Sequence, residues 1–279
     1  MENVNWHDVW NKMMSQCTEV ALKDTGGLKE WSLGSARDYS KGTDPDYIEA
    51  IISKLGVGAD DRVLDIGCGP GTLAIPLAKI VKSVTTVDMS LNMLKVLRER
   101  ASAENLSNIA CVNKQWRDVV VGSDIGRSYD AVVASNSFSL LAAKETKCGD
   151  RTCVDWDVID AVKKMNAVGR KVYVTMPLGE SAPFSIYDVI GIPYHPPPNH
   201  VITYNVISET GVLPDIDLLP SHHRGSSDPK AAFKMLEWKH KLTDAQRAAL
   251  AAKLESVANP ARQPVRVFLL IHWRNKVSS

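Results

Sequence analysis

The chain has 279 residues, 44% of them hydrophobic, with 33 Lys and Arg set against 32 Asp and Glu. That length and apolar fraction supply a substantial core. The balanced, scattered charge offers none of the basic stripe that nucleic-acid phosphates demand, which argues against a nucleic-acid partner.

The opening Met1-Glu2-Asn3-Val4-Asn5 is polar and acidic rather than basic and then apolar, and no apolar run reaches membrane-spanning length. Five cysteines, at 17, 68, 111, 148 and 153, show no paired framework. The expectation is a reduced, cytoplasmic protein with no membrane partner. Cys148 and Cys153 lack a second pair at zinc-site spacing, so no metal site is expected.

Trp6, Trp10, Met13, Met14, Cys17 and Val20 fall on one face of a helix over residues 3–23. Lys23 to Gly27 breaks it, and Trp31 to Gly42 reads as a polar, glycine-punctuated segment that offers Arg37, Asp38 and Tyr39 as lid residues. Asp44-Pro45 restarts a helix, Asp as N-cap and Pro at the first helical position, with Ile48, Ile51, Ile52 and Leu55 facing a sheet.

Alternation of strand and helix follows. Strands are predicted at Arg62–Ile66, Ser83–Asp88, Ile109–Asn113, Tyr129–Ser135 and Lys171–Met176. Helices are predicted over Thr72–Val81, behind a Ser90 cap, and over Val154–Val168. Apolar strands separated by helices imply a parallel sheet covered on both faces, with ligands beyond the strand carboxyl ends.

The first two of those ends carry the chemistry. Asp65 precedes Gly67-Cys68-Gly69-Pro70-Gly71-Thr72, and Asp88 ends the next strand. Glycines let backbone approach a ligand, and a distal carboxylate takes ribose hydroxyls. The third glycine comes one residue too early for a dinucleotide fingerprint, and a carboxylate at Asp65 would repel a pyrophosphate. Both features suit S-adenosylmethionine, which has a cationic amine and no phosphate.

Val63 to Thr72 resembles the first motif of class I S-adenosylmethionine-dependent methyltransferases, and Val87-Asp88-Met89-Ser90 resembles their second. The similarity spans roughly Asp44 to Pro177. It implies that Asp65, Gly67, Cys68, Gly69 and Gly71 hold the amino-acid end of the cofactor, that Asp88 binds the ribose and that Met89 packs beside the adenine. It also assigns Trp116, Arg117 and Asp118 to the adenine side, with Asp118 accepting from the amino group and Trp116 against the ring. Ser135 borders the cofactor, and Asn136 lines the methyl-transfer face or caps the short helix after it. The Asn/Asp-Pro-Pro-Tyr sequence of enzymes that alkylate planar nitrogens is absent at that place.

Beyond Pro177 the chain leaves the minimal template. Three consecutive prolines, 196–198, stiffen a connection that carries Tyr187, Tyr194, His195 and His200. The tyrosines are candidate substrate residues, and His195 or His200 is a candidate base. A sixth strand is expected at Val212–Leu219, and His222-His223-Arg224 after it forms an anion site or a wet loop. Helices follow from Asp228-Pro229 and from the capping box Thr243-Asp-Ala-Gln246, the second ending at Asn259-Pro260. Val265–Trp273 is then the antiparallel seventh strand. This ending also resembles a set of uncharacterised prokaryotic methyltransferases.

The sequence therefore predicts one α/β domain, a doubly wound, Rossmann-like, seven-stranded sheet with an antiparallel last strand. It is divided into an N-terminal helical lid (1–43), a cofactor-binding core (44–177), a substrate-recognition insertion (178–211) and the last two strands with a helical insert (212–279). The expected activity is methyl transfer from S-adenosylmethionine to a small molecule by in-line displacement, leaving S-adenosylhomocysteine. A tRNA, rRNA or protein methyltransferase, an NAD-dependent oxidoreductase and a non-catalytic cofactor-binding subunit are the alternatives.

Overall fold

The computed structural model describes residues 4–24, 26–42, 44–178, 184–220, 229–257 and 267–275. In chain order the elements are α1 (Trp6–Gln16), β1 (Leu22–Lys23), β2 (Gly26–Leu28), α2 (Leu33–Lys41), α3 (Pro45–Leu55), β3 (Arg62–Ile66), α4 (Ala74–Ala78), β4 (Ser83–Asp88), α5 (Leu91–Ala103) and β5 (Ile109–Asn113). A 3-10 turn at Trp116–Asp118 leads to β6 (Tyr129–Ser135), α6 (Phe138–Leu141), β7 (Ala143–Cys148), β8 (Arg151–Trp156), α7 (Val158–Val168) and β9 (Gly169–Leu178). The last elements are α8 (Phe184–Ile190), α9 (His200–Ser208), β10 (Asp215–Pro220), α10 (Pro229–Lys239), α11 (Asp244–Val257) and β11 (Val267–Arg274).

Seven strands form the main sheet in the order β10-β11-β9-β6-β3-β4-β5. The β9–β6–β3–β4–β5 pairings are parallel, and β11 runs antiparallel to both β9 and β10. The order steps outward from β3 in both directions, so the crevice above β3 and β6 is the topological switch point where open α/β sheets bind ligands. One face of the sheet packs on α1, α7 and α9 through Trp10, Met14, Ala161, Met165 and Val206. The other packs on α3 and α4 through Ile51, Leu55, Ala74 and Leu77. Strands covered on both sides read as continuous apolar runs, which is why their ends were legible. No helix among the described residues is long and apolar enough to cross a membrane.

Local signals explain the helix starts. Asp44 accepts from the Asp46 and Tyr47 amides, Ser90 accepts from Met93 N, and Thr243 and Gln246 form the reciprocal capping box.

The sequence reading needs correction in the cover and in the region before α7. Residues 33–41, expected as an irregular segment, are helical because Ser32 caps them and Ala36 buries against Met93 and Val96 of α5. The expected helix over Val154–Val168 begins only at Val158, where Asp157 caps it. Residues 143–156 instead form an antiparallel hairpin, and β2 joins it in parallel through Gly26 and Thr152 to make a second, four-stranded sheet β1-β2-β8-β7. Cys148 and Cys153 are disulfide-bonded across that hairpin, so two of the five cysteines do pair. His222-His223-Arg224, Pro183, Asp228 and the Asn259-Pro260 stop lie outside the described residues.

Candidate functional site

The loop after β3 closes back on the end of β4. Gly67 N and Cys68 N donate to Val87 O at 2.7 and 3.3 Å, and Gly69 N donates to Asp88 Oδ2 at 2.8 Å. Asp88 Oδ1 accepts from Ser90 N at 2.8 Å, so one carboxylate ties the glycine loop to the start of α5. Two of its roughly four acceptor positions remain for a ligand. Burial raises the Asp88 pKa against the opposing pull of those two amides. The next strand end braces the same turn, for Asn113 Nδ2 donates to Asp88 O and Met89 O, each at 3.0 Å.

The glycines at 67 and 69 are needed for different reasons. Both have positive φ, +68° and +54°, which L side chains adopt at a cost. A Cβ on Gly67 would collide with the Ser137 side chain, whose Oγ donates to Ile66 O at 2.7 Å. A Cβ on Gly69 would meet nothing within 4 Å. One glycine serves close packing and the other faces open space. Cys68 is buried, and desolvation together with Asp88 and Asp65 holds its thiol pKa well above the usual range.

Asp65 is 2% exposed, and its Oδ2 is buried without a hydrogen-bond partner. Burial first, then repulsion from Asp88, pushes its pKa up to about 7 despite an amide bond from Ala74. A carboxyl sealed in this way costs free energy unless something polar is meant to meet it.

A neutral polar cluster stands at the ends of β6 and β9. Tyr47 OH lies 2.6 Å from Thr175 Oγ1 and 3.0 Å from Ser135 Oγ, and it accepts from Asn136 Nδ2 at 3.0 Å. Burial outweighs these bonds and raises the phenol pKa to about 12. Asn136 has a φ of +54°, held by its own amide donating to Thr175 O at 3.1 Å. Strain of this kind persists only where surroundings enforce it. Tyr39 of α2 is about half exposed and meets the Trp31 ring edge-on, with ring centres 5.5 Å apart. Sequence reasoning missed Tyr47 and Thr175; only the Asp44 cap, which fixes where α3 begins, hinted at the first.

The expected adenine side is arranged differently. Trp116 is 2% exposed, its Nε1 donates to Ala161 O at 3.0 Å, and Lys164 Nζ stands 5.5 Å from its ring centre, so it is part of the core. Arg117 is committed to Asp155, Asp160 and Asp157 at 2.8, 3.3 and 4.0 Å, a brace between the 3-10 turn, the hairpin and α7. Burial works against its charge, yet these carboxylates outweigh it and raise its pKa. Asp118 is exposed and pairs with Lys144 at 3.4 Å.

The remaining candidates separate. Tyr187 is 1% exposed and stacks on Tyr194 with ring centres 4.7 Å apart, both under the α10–α11 cap. His195 is exposed; its backbone N donates to Thr18 Oγ1 at 2.8 Å and its carbonyl accepts from Thr18 N at 3.0 Å. His200 is the first residue of α9, which packs on α1 and α7. Neither histidine joins the Tyr47 cluster in any described bond.

Residues 63–156 match the family model described as a methyltransferase domain. An uncharacterized protein of Haemophilus influenzae is 33% identical over 130 residues, covering 46% of this chain and 42% of that protein. Ribosomal RNA small subunit methyltransferase A of Desulforapulum autotrophicum is 34% identical over 88 residues, 31% of each chain. The chain thus spans less than half the length of these relatives. Among solved structures, Haemonchus contortus phosphoethanolamine N-methyltransferase 2, bound to phosphomonomethylethanolamine and S-adenosylhomocysteine, superposes with a TM-score of 0.56 at 15% identity. That match covers 98% of this chain and 61% of the other, and it bears on the fold.

Proposed function

We propose that this chain, a member of the class I methyltransferase superfamily, binds S-adenosylmethionine above β3 and β4 and transfers its methyl group to a small molecule. The observation that carries the reading is the partnerless, buried Asp65 Oδ2 beside a glycine loop that Asp88 holds open at Gly69. A cationic amine supplies the missing partner for Asp65, and a vicinal diol fits the acceptor positions left on Asp88. A pyrophosphate would face two carboxylates, which excludes it on Coulomb grounds.

When bound, the cofactor supplies an electrophilic methyl group on a sulfonium whose departure leaves a neutral thioether. The chain's own task is then orientation, which is worth about 7 to 11 kcal/mol when the reacting atoms are held in line. Tyr47, Ser135, Thr175 and Asn136 provide a rigid, uncharged wall at the strand ends for that purpose. The closure of α2 and α10 over α5, with Trp31 stacked on Trp238 at 4.8 Å and Asn92 Nδ2 donating to Trp31 O at 2.7 Å, favours an enclosed acceptor. The balanced charge supports the same choice over a polyanion, although several relatives are named for ribosomal RNA.

Calorimetric titration with S-adenosylmethionine, S-adenosylhomocysteine and NAD tests the cofactor. Binding of the first two and not the third is expected; binding of NAD alone overturns the reading. Methyl transfer to a small-molecule extract, against none to ribosomal RNA, tests the acceptor.

A further inference from the structure

Each half of the glycine-loop cradle is tied down by a further side chain that reaches a backbone carbonyl. Arg100, in the last turn of α5, donates from Nη1 to Pro70 O at 2.7 Å. Pro70 follows Gly69, whose N–H is accepted by Asp88. The middle of the loop is therefore held by an acceptor on one residue and a cationic donor on the next. Both anchors act through α5, because its N-cap Ser90 hangs on Asp88 Oδ1 and its last turn carries Arg100. The loop also rests on that helix, for a Cβ on Gly71 would come within 3.0 Å of the Leu97 side chain.

The other half is the turn after β4. The parallel register pairs Asp88 with Asn113 of β5, which sets the Asn113 amide beside that turn. Its Nδ2 donates to Asp88 O and Met89 O, each at 3.0 Å, so both N–H groups of one nitrogen are used. An ionised Asp offers no donor and a Ser only one, so neither could hold both carbonyls. Asn113 is exposed, and water could satisfy its amide equally well. The two bonds therefore fix direction rather than rescue a buried group. Arg100 is half-buried, where burial works against its charge and lowers its pKa while Glu104 opposes that shift.

We propose that Arg100 and Asn113 are positioning residues of the cofactor cradle, which set the peptide groups of the glycine loop and of the Asp88–Ser90 turn before the ligand arrives. Neither needs to touch the ligand. Arg100 fixes the peptide that Pro70 O belongs to, Asn113 fixes the two that follow Asp88, and Asp88 joins the two halves through Gly69 N and Ser90 N. The entropy of ordering the cradle is then met in folding rather than in binding, which tightens the complex without a new contact. The inference rests on the methyltransferase reading for the identity of the ligand, whereas the preset geometry belongs to the ligand-free chain.

The test combines amide hydrogen exchange of the ligand-free full chain with calorimetry using S-adenosylhomocysteine. Arg100→Met should quicken exchange at Gly69, and Asn113→Asp at Ser90, each by about tenfold, with the amides of β3 and β6 unchanged. Each variant should bind S-adenosylhomocysteine about tenfold more weakly than wild type at pH 8. Asn113→Asp carries a readout that a packing role would not move. The substituted side chain keeps its shape but, when ionised, turns acceptors toward two carbonyls, and protonation returns one donor. Its deficit relative to wild type at the same pH should therefore shrink to about threefold at pH 5. Affinities within about twofold of wild type in both variants, a deficit of Asn113→Asp equal at the two pH values, or exchange that quickens alike across the whole sheet would each overturn the proposal. Failure of S-adenosylhomocysteine to bind the wild type would instead remove the methyltransferase reading, while exchange at Gly69 and Ser90 still reports on the two positioning residues.

Discussion

Replacing Asp65 by Asn should stabilise the ligand-free protein in a pH-dependent way. Asp65 is the buried carboxyl whose pKa rises from 3.8 to about 7, with burial the larger cause and Asp88 the second. At about 1.36 kcal/mol per pH unit, ionising it in the folded state is disfavoured by about 4 kcal/mol. Because the folded pKa lies above the unfolded one, the folded state holds the proton longer. Stability is therefore complete below 3.8, declines as pH rises to about 7, and is flat above. Asn does not ionise, so its advantage over Asp should grow by about 2 kcal/mol between pH 5.5 and 7. In a chain of this size that is a Tm gain of about 4 to 8 °C. Any penalty for an unpaired amide is the same at both pH values and cancels. Thermal unfolding of the two proteins across pH 5 to 9 is the assay, and a Tm difference that does not change with pH would refute the reasoning. The same variant should bind S-adenosylhomocysteine more weakly and lose the proton release that accompanies binding to the wild type at pH 6, measured as a buffer-dependent enthalpy.

Other outcomes follow from the same geometry. Asp88→Ala removes the acceptor for Gly69 N and Ser90 N and should weaken S-adenosylhomocysteine by about 1.5 to 3 kcal/mol in calorimetry, whereas Asp118→Ala, at an exposed ion pair, should leave it nearly unchanged. Gly67→Ala and Gly69→Ala should differ in kind. The first adds a collision with Ser137 to its backbone strain and should lower Tm; the second carries only the strain, about 1 to 2 kcal/mol, but should block cofactor binding by filling open space. Tyr47→Phe leaves the Thr175, Ser135 and Asn136 groups without their shared partner, and should cost about 1 to 3 kcal/mol by denaturant titration while lowering kcat more than it raises the KM for S-adenosylmethionine.

What was legible in the sequence divides along physical lines. The parallel strands β3 to β6 are rich in apolar and β-branched residues and stop at turn or cap residues, so their bounds follow from one-dimensional pattern alone. The β7–β8 hairpin has no such pattern. β8 alternates between exposed and intermediate while β7 passes from buried Ala143 to a fully exposed end, so the two strands share no single apolar face that marks them. Trp116 was assigned to the adenine from its place after β5. Its real partner is a carbonyl 45 residues later, which sequence spacing does not encode. Arg117 is likewise claimed by carboxylates of the hairpin and α7. The glycine loop and Asp88 were readable because both halves of their contact sit within one βαβ unit.

The pairing of Gly26 with Thr152 has a consequence for how the chain assembles. A strand laid down ahead of the core finds its neighbour only after more than a hundred further residues have been made, and the entropy of closing so wide a loop must be met before the contact returns anything. On a ribosome the early segment would wait, solvated, while the Rossmann-like core condenses behind it. The second sheet should accordingly be the last part to acquire hydrogen-exchange protection on refolding and the first to surrender it near the melting temperature.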